Sequence, residues 1–150
     1  MTEQLEPIDA AIVRVLAADG RCSFTDLAER VGLSVSAVHQ RVRRLEQRGV
    51  VRGYAARLDA EAIGLPLSAL ISLTPIDPAA ADDYPQRLEH IAEIESCYSV
   101  AGEESYVLLV RVSGPAALEE LLRKIREAAK VSTRTTVVLS TPYEGRSPAL

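Results

Sequence analysis

Residues 34–57 of this 150-residue chain contain six arginines, no lysine and a single acidic residue, Glu46. A planar guanidinium presents its donors as a fork, which suits both phosphate oxygens and the edge of a guanine base. The chemistry that this arginine cluster offers is therefore the binding of nucleic acid. The alternative is that the arginines only keep one face of a helix in contact with water.

The charge of the chain is distributed unevenly along its length. The whole chain has a net charge of −4, which argues weakly against nucleic acid as a partner. Residues 1–60, however, carry nine basic and eight acidic residues, whereas residues 61–150 carry eight basic and thirteen acidic residues. This distribution makes the N-terminal region the candidate for binding double-stranded DNA, and a helix face that is merely exposed to water remains the alternative.

Side chains typical of catalysis or metal binding are few and scattered. The histidines, His39 and His90, and the cysteines, Cys22 and Cys97, have no metal-ligand spacing. The sequence also lacks a glycine-rich phosphate loop and a nucleophile-elbow motif. We predict that the protein is not an enzyme and that it has no catalytic residue, metal site, cofactor or structural disulfide.

The start of the chain is polar and acidic, unlike a signal peptide. No apolar run approaches the roughly 20 residues that are needed to cross a membrane. The chain is 47% hydrophobic, which is enough for a packed core. These features predict a cytoplasmic protein with no membrane partner.

Apolar residues at helical spacing predict three helices in the first fifty residues. Pro7 suits the first turn of the first helix, which ends at the turn formed by residues 19 and 20. Ser23 and Asp26 form a capping pair for the second helix, and Gly32 supplies a tight turn to the third. This arrangement describes a helix-turn-helix, and a three-helix bundle without a role in DNA binding is the alternative.

The third helix is predicted to begin at Val35, after the N-cap Ser34, and to end near Arg48. Its apolar residues, which cluster on one side, are Val35, Val38, Val42 and Leu45. The outward side is small and polar near its start and rich in arginine further on, as a helix in the major groove requires. We predict base contacts from Ser36, Ala37, Gln40 and Arg43, and phosphate contacts from Ser34, Arg41, Arg44 and Arg52.

Residues 50–58 are predicted as a strand that forms a small wing, and residues 59–66 as a linker. The remainder predicts alternating strands and helices in the order βαββαβ, a ferredoxin-like unit. The predicted strands are 67–74, 96–101, 106–112 and 131–141, and the predicted helices are 79–93 and a segment around 118–125. Helices would cover one face of this sheet, and its other face, which carries Leu, Val and Ile, would be covered most simply by a second copy.

Several blocks of the sequence, taken together, have a familiar pattern. They are IDAAIVRVLAADGR at 8–21, LAERVGLS at 27–34, RVRRLEQRGVVRGY at 41–54 and ESCYSVAGEESY at 95–106. In these blocks the chain resembles the Lrp/AsnC family of transcriptional regulators over about residues 6–143. The resemblance implies an α+β fold, with a winged helix-turn-helix in residues 1–58 and a ferredoxin-like domain of the RAM type in residues 67–150.

The resemblance also implies a homo-oligomer and a small-molecule effector. Family members pair through their sheets, often assemble four dimers into an octamer, and typically bind an amino acid near the hairpin loop of the second domain. Carried over by position, the effector residues are Gly102, Glu103, Glu104, Ser105 and Tyr106, with Thr133, Thr135 and Thr136 as co-ligands. Many relatives have Gly-Asp-x-Asp-Tyr in this loop, whereas this chain has Glu103 and Ser105 in place of the two aspartates.

The function predicted from the sequence is a DNA-binding transcriptional regulator whose DNA binding and assembly respond to a small effector such as an amino acid. One alternative is a nucleoid-associated architectural protein that binds DNA without effector control. Another is a metabolite sensor whose helical domain binds protein instead of DNA.

Overall fold

The structure is a computed structural model that describes residues 5–79 and 81–147. The described residues form two compact units. One unit contains the residues up to Arg57 together with those from Tyr143 onward, and the other is Leu58–Pro142. The segment from Tyr143 therefore belongs to the helical unit, although the sequence groups it with the second domain. No helix in the described part of the chain is long and apolar enough to span a membrane.

The helical unit consists of α1 (Pro7–Ala18), α2 (Phe24–Val31) and α3 (Val35–Gln47). One small core holds these helices together, because each contributes apolar side chains that are almost fully removed from water. The buried residues of this core are Ile12, Leu27, Ala28, Val38, Val42 and Leu45. Burial of a large aliphatic side chain stabilises the fold by about 1.5–3 kcal/mol, and five of these six residues, all but Ala28, are of that kind. The three predicted helices are confirmed.

The turn that joins α2 to α3 is built as its residue types predict. The Ser23 hydroxyl oxygen accepts a hydrogen bond from the Asp26 backbone N–H at 3.1 Å and caps α2. Gly32 follows α2 with a φ of 70°, a left-handed conformation that glycine adopts without strain. The Ser34 hydroxyl oxygen then accepts from the Ala37 N–H at 3.3 Å and caps α3. These caps set where the outward-facing helix starts.

The prediction of a strand over residues 50–58 is wrong. The backbone N–H groups of Val50 and Val51 both donate to the Leu45 carbonyl and so complete the end of α3. The residues that follow have no regular secondary structure, and the described part of the helical unit contains no strand. A strand needs a partner for its backbone groups, and none is available among the described residues of this unit.

The second unit is a four-stranded antiparallel sheet with helices on one face. Its strands are β1 (Leu67–Pro75), β2 (Ile94–Ser99), β3 (Tyr106–Val112) and β4 (Val131–Val138), in the spatial order β2-β3-β1-β4. The helices α4 (Tyr84–Leu88) and α5 (Pro115–Ala129) complete the predicted βαββαβ order. The ferredoxin-like architecture is confirmed.

Strict alternation along the two central strands places every second side chain in the core. In β3, Leu108, Val110 and Val112 are buried, and the side chains between them are only half-buried. Residues at helical spacing on α5 pack over this layer, including Leu121 and Ile125. The sheet unit therefore has the larger of the two hydrophobic cores.

The predicted helix over 79–93 is wrong in its extent, because α4 has only five residues. Pro85 is the second residue of α4. In a helix that began at residue 79, Pro85 would lie in the interior, where its ring clashes with the preceding turn and its missing N–H breaks a hydrogen bond. The predicted limits of β2 and β4 also differ from the structure by two or three residues.

The face of the sheet opposite the helices carries a patch of apolar side chains. Leu70 of β1 lies opposite Leu109 of β3, and Val107 of β3 lies opposite Tyr98 of β2. Leu70 and Tyr98 are exposed in the single chain. The prediction that Ile residues also lie here is wrong, since Ile71 packs in the helix-covered core. We refer to Leu70, Tyr98, Val107 and Leu109 as the open-face patch.

Candidate nucleic-acid interface and effector loop

The outward side of α3 forms one exposed polar and cationic surface. A shallow concavity on this side is lined by Gln40, Arg43, Arg44 and Gln47, all of which are exposed. The buried residues Val38, Val42 and Leu45 occupy the opposite side of the helix. Val35 was predicted to turn inward but is 46% exposed, because the first turn of α3 extends past the packed core. The two-sided pattern predicted for this helix is otherwise present.

The N-terminal end of α3 holds three of the predicted DNA-binding residues. The Ser34 hydroxyl caps the helix and lies 3.3 Å from the Ser36 hydroxyl. Ser36 is exposed and Ala37 is half-buried. Ser34 and Ser36 are both exposed, so both hydroxyls are accessible to a duplex, although the Ser34 oxygen also accepts a hydrogen bond from the helix.

Arg41 lies on a different side of α3 from the other arginines of the helix. Its Nη1 donates to Asp9 Oδ1 at 2.7 Å and to Glu6 Oε2 at 3.0 Å, and both acceptors belong to the start of α1. Hydrogen bonds to Asp9 and then to Glu6 raise the pKa of the Arg41 guanidinium. The predicted phosphate contact from Arg41 would compete with these two carboxylates.

Two further contacts brace α3 and were not anticipated from the sequence. The ring of His39 packs on the ring of Phe24, with centroids 4.8 Å apart. The Tyr54 hydroxyl donates to Glu46 Oε1 at 3.0 Å, and partial burial, followed by this hydrogen bond, raises the Tyr54 pKa. Both contacts lie on the flanks of α3 and leave its outward side open.

The arginines that follow α3 are divided between two environments. Arg52 is exposed in the irregular segment after the helix. Arg57, by contrast, donates from Nη2 to the Glu144 carbonyl oxygen at 2.8 Å. The C-terminal segment therefore contacts the helical unit at Arg57, and a second time where the Ser147 hydroxyl donates to the Ala17 carbonyl oxygen at 3.1 Å.

The predicted effector loop joins β2 to β3. Gly102 has a φ of 153°, which side chains with a Cβ rarely adopt. The Val100 N–H donates to the Ser105 carbonyl at 3.1 Å, and the Ser105 N–H donates to the Leu73 carbonyl at 3.0 Å. These bonds fold the loop back towards β1. The Glu104 carboxylate then forms an ion pair with Arg134 of β4, a residue that the sequence interpretation missed.

Tyr106 is buried, and its hydroxyl donates to Asp82 Oδ1 at 2.9 Å. That hydrogen bond, and then burial, raise the Tyr106 pKa. Its ring contacts Tyr84 of α4 edge-on, with centroids 6.0 Å apart. This side chain therefore joins the core beneath the helices.

The three threonines predicted as co-ligands are also divided between the two faces of β4. Thr133 and Thr135 lie on the helix-covered face, opposite Leu73 and Ile71 of β1. The Thr133 hydroxyl oxygen accepts from Arg126 Nε at 3.0 Å. Thr136 pairs with Leu70 on the other face. The single chain thus does not bring all eight predicted effector residues into one pocket.

Both units match models of known protein families. Residues 5–52 match a winged helix-turn-helix DNA-binding family, and residues 68–148 match the Lrp/AsnC ligand binding domain. The chain belongs to the Lrp/AsnC family. Its predicted membership is thereby confirmed, and the family is one of DNA-binding transcriptional regulators.

Comparison with individual proteins gives the same family. This Lrp/AsnC chain is 62% identical over 146 residues to the HTH-type transcriptional regulator LrpA of Mycobacterium tuberculosis, with 97% of each chain covered. It is similar to the solved structure of a feast or famine regulatory protein from M. tuberculosis complexed with L-methionine, with a TM-score of 0.95, 61% identity and coverage of 97% of this chain and 99% of that chain. It also resembles a Neisseria meningitidis transcriptional regulator in complex with L-Met, with a TM-score of 0.86, 29% identity and 94% of each chain covered.

The family, the fold and the exposed outward side of α3 all indicate the same activity. The chain is a DNA-binding transcriptional regulator of the Lrp/AsnC type, as the sequence predicts. The helix-turn-helix supplies the DNA-binding element, and the sheet unit corresponds to the ligand-binding domain of the family.

Proposed function

We propose that the outward side of α3 enters the major groove and reads DNA. The proposal rests on the exposed surface formed by Gln40, Arg43, Arg44 and Gln47, the side of α3 that faces away from α1 and α2. Ser36, Ala37, Gln40 and Arg43 are the candidates for base contacts, and Ser34, Arg44 and Arg52 for phosphate contacts. A duplex is bound by such a surface through direct readout combined with charge neutralisation.

Two substitutions on this surface separate the two kinds of contact. We expect Arg44→Ala to weaken binding to all duplexes alike and to lower the slope of log K against log salt by about 0.9 for each phosphate that is no longer neutralised. Gln40→Ala should instead change the preferred sequence obtained by in vitro selection. Arg14→Ala, which removes an exposed arginine from α1, is the matched control. If Arg44→Ala and Arg14→Ala have equal effects, the outward side of α3 is not the DNA-binding surface.

Footprinting of the unmodified protein tests whether it acts as a sequence-specific regulator. Discrete, phased half-sites are expected if two copies of α3 occupy successive major grooves of one duplex. Uniform coverage of every fragment would instead identify an architectural DNA-binding protein. Because DNA is the proposed partner, the proposed place of action is the cytoplasm.

We propose that two chains pair through the open-face patch and that such dimers assemble further, up to an octamer. The patch exposes aliphatic and aromatic side chains on the face of the sheet opposite α4 and α5, and burial against a second copy removes them from water. Leu70→Glu should therefore give monomers in analytical ultracentrifugation. The matched control is Ala116→Glu, at an exposed position of α5 on the opposite side of the sheet.

We propose an amino acid as the effector, bound near the loop of Gly102, Glu103, Glu104 and Ser105. Two structural relatives are complexes with L-methionine, which makes methionine the first ligand to test. The Glu104 carboxylate can accept hydrogen bonds from an α-ammonium group, and Gly102 lets the backbone approach a ligand. Tyr106, Thr133 and Thr135 lie on the helix-covered side of the sheet and Thr136 lies on the open face, so we do not expect all eight predicted residues to contact the ligand directly.

A thermal-shift screen of the twenty amino acids tests the effector proposal directly. A ligand that binds only the folded state at a hundred times its Kd stabilises it by about 2.7 kcal/mol. Methionine should raise the melting temperature of the unmodified chain, and Glu104→Gln should reduce that rise. The same ligand should change the sedimentation profile or the affinity for DNA, since an effector must favour one assembly over another. No change with any amino acid would refute effector control.

A further inference from the structure

Arg41 is turned away from the DNA-binding surface by its position on α3. At about 100° per residue, Arg41 lies about 60° from the centre of the buried side of the helix and about 120° from the centre of its outward side. Its side chain is only 24% exposed, whereas Arg43 and Arg44 are exposed on the outward side. The same helix thus carries arginines in two different environments.

The carboxylate that Arg41 contacts is itself unusual for a surface helix. Asp9 is only 8% exposed and is the one buried charged residue in the described part of the chain. A buried carboxylate without a partner is strongly unfavourable, and Arg41 supplies that partner at 2.7 Å. Asp9 is on α1 and Arg41 is at the middle of α3, so their bond fixes one helix against the other.

The net charge around Arg41 also argues against a role of this arginine in attracting DNA. Glu6, Asp9 and Arg41 together carry one net negative charge, with both carboxylates bonded to the same guanidinium nitrogen. A phosphate brought to Arg41 would have to displace these carboxylates or lie beside them. Phosphate binding needs a net positive environment, which the outward side of α3 offers and this flank does not.

We propose that Arg41 is a positioning residue for DNA recognition, an inference that rests on the role in reading DNA proposed above for the outward side of α3. The bond from Arg41 to Asp9 sets the placement of α3 on α1, and so the placement of Gln40 and Arg43 against the bases. Base contacts depend on the exact position of the side chains that make them, whereas contacts with phosphate in mixed-sequence DNA tolerate displacement. Loss of the Asp9–Arg41 bond therefore lowers sequence specificity more than it lowers binding to DNA in general.

The test uses full-length Asp9→Ala, Arg41→Ala and the double variant, with Arg44→Ala as the phosphate-binding control. Affinity is measured across a salt series for a duplex selected in vitro by the unmodified chain and for a mixed-sequence duplex. Circular dichroism and thermal melting establish that each variant is folded at the assay temperature. If Asp9→Ala is not folded, the isosteric Asp9→Asn replaces it.

The direction in which Asp9→Ala changes the affinity for DNA distinguishes a positioning role of Arg41 from a phosphate-binding role. A positioning bond predicts that Asp9→Ala and Arg41→Ala each weaken binding to the selected duplex by about tenfold, the effect of removing one specific hydrogen bond to a base. The double variant is then no worse than either single variant, and the salt slope is unchanged. Removal of a negative charge can only strengthen a purely Coulombic attraction to DNA, so weaker binding by Asp9→Ala cannot arise from charge.

Two outcomes would overturn the proposal. In one, Arg41→Ala lowers the salt slope as Arg44→Ala does while Asp9→Ala binds DNA as tightly as before or more tightly, which would make Arg41 a direct phosphate ligand. In the other, the variants lose affinity equally for the selected and the mixed-sequence duplex, which would show that the bond has no role in placing α3.

Discussion

The two candidate sites differ in how their residues are brought together. The predicted DNA-binding residues lie mainly on α3, a single helix, so the spacing along one helix decides which of them share a face. The predicted effector residues lie on a loop and on two strands, β3 and β4, which are separated by β1 in the sheet. The face on which each of them lies depends on strand register. A site within one helix is therefore much more accessible to sequence reasoning than a site spread over a sheet.

The largest effect is expected from the core of the sheet unit. Leu108 is fully buried at the centre of β3, and Leu108→Ala should destabilise this unit by about 2–5 kcal/mol, because the substitution removes buried methyl groups and leaves a cavity. Amide hydrogen exchange should show lower protection in β1, β3 and α5, with the amides of α2 and α3 nearly unaffected. Equal loss of protection throughout would mean that the two units unfold as one.

Tyr106→Phe tests on which side of the sheet the ligand binds. The substitution removes the hydroxyl that donates to Asp82, which should cost about 1–2 kcal/mol in urea unfolding. Because this hydroxyl lies under the helices, the affinity for methionine should change less than in Glu104→Gln. A larger loss of methionine affinity in Tyr106→Phe would place the ligand on the helix side.

A smaller effect is expected from Tyr54→Phe in the helical unit. The hydrogen bond that this substitution removes joins Glu46 near the end of α3 to the segment after it, and neutral-to-charged bonds at exposed positions contribute about 1 kcal/mol. Thermal melting measures the cost. Arg52 should then be less well held near DNA, so a modest decrease in affinity for all duplexes is expected, with Tyr143→Phe as a control at another exposed tyrosine.

The smallest effect concerns Glu93 and Lys124, an ion pair of the sheet unit that is more exposed than the one between Asp9 and Arg41. A backbone hydrogen bond, and then Lys124 at 3.0 Å, lower the pKa of Glu93. A lowered carboxyl pKa stabilises the fold above the ordinary glutamate value, near 4.3, and this stabilisation is lost as the pH falls through the folded-state pKa.

Glu93→Gln should therefore lower stability by at most about 1 kcal/mol at pH 7, given the exposure of the pair. The difference from the unmodified chain should disappear in acid, as followed by urea unfolding from pH 3 to pH 7. A difference that persists at pH 3 would show that the substitution acts through packing rather than charge.

The sequence predicted those features that depend on local residue types. The cap at Ser34, the turn at Gly32 and the strand over 67–74 each depend on a few neighbouring residues, and the structure contains all three. The family resemblance also identified the fold of both units. These features follow from helical and strand periodicity together with the conformational preferences of single residues.

The features that the sequence did not predict depend on contacts between distant residues. Arg41 was assigned to phosphate because an arginine on a predicted DNA helix is compatible with that role, and its bond to Asp9 spans 32 positions. Arg134 was missed because its ion pair with Glu104 depends on strand order. The sequence did contain a signal for the bond between Asp9 and Arg41. Asp9 lies beside Ile12 on the apolar side of α1, where a carboxylate requires a partner, and Arg41 flanks the buried side of α3.

The contacts of the C-terminal segment have a consequence for the synthesis of the protein. The three helices of the DNA-binding unit leave the ribosome first, but Arg57 and Ala17 meet their partners only when Glu144 and Ser147 have been translated. The part of the chain made earliest therefore reaches its complete set of contacts last, after the whole sheet has emerged. A nascent chain that stalls within the sheet unit would present helices without this final attachment.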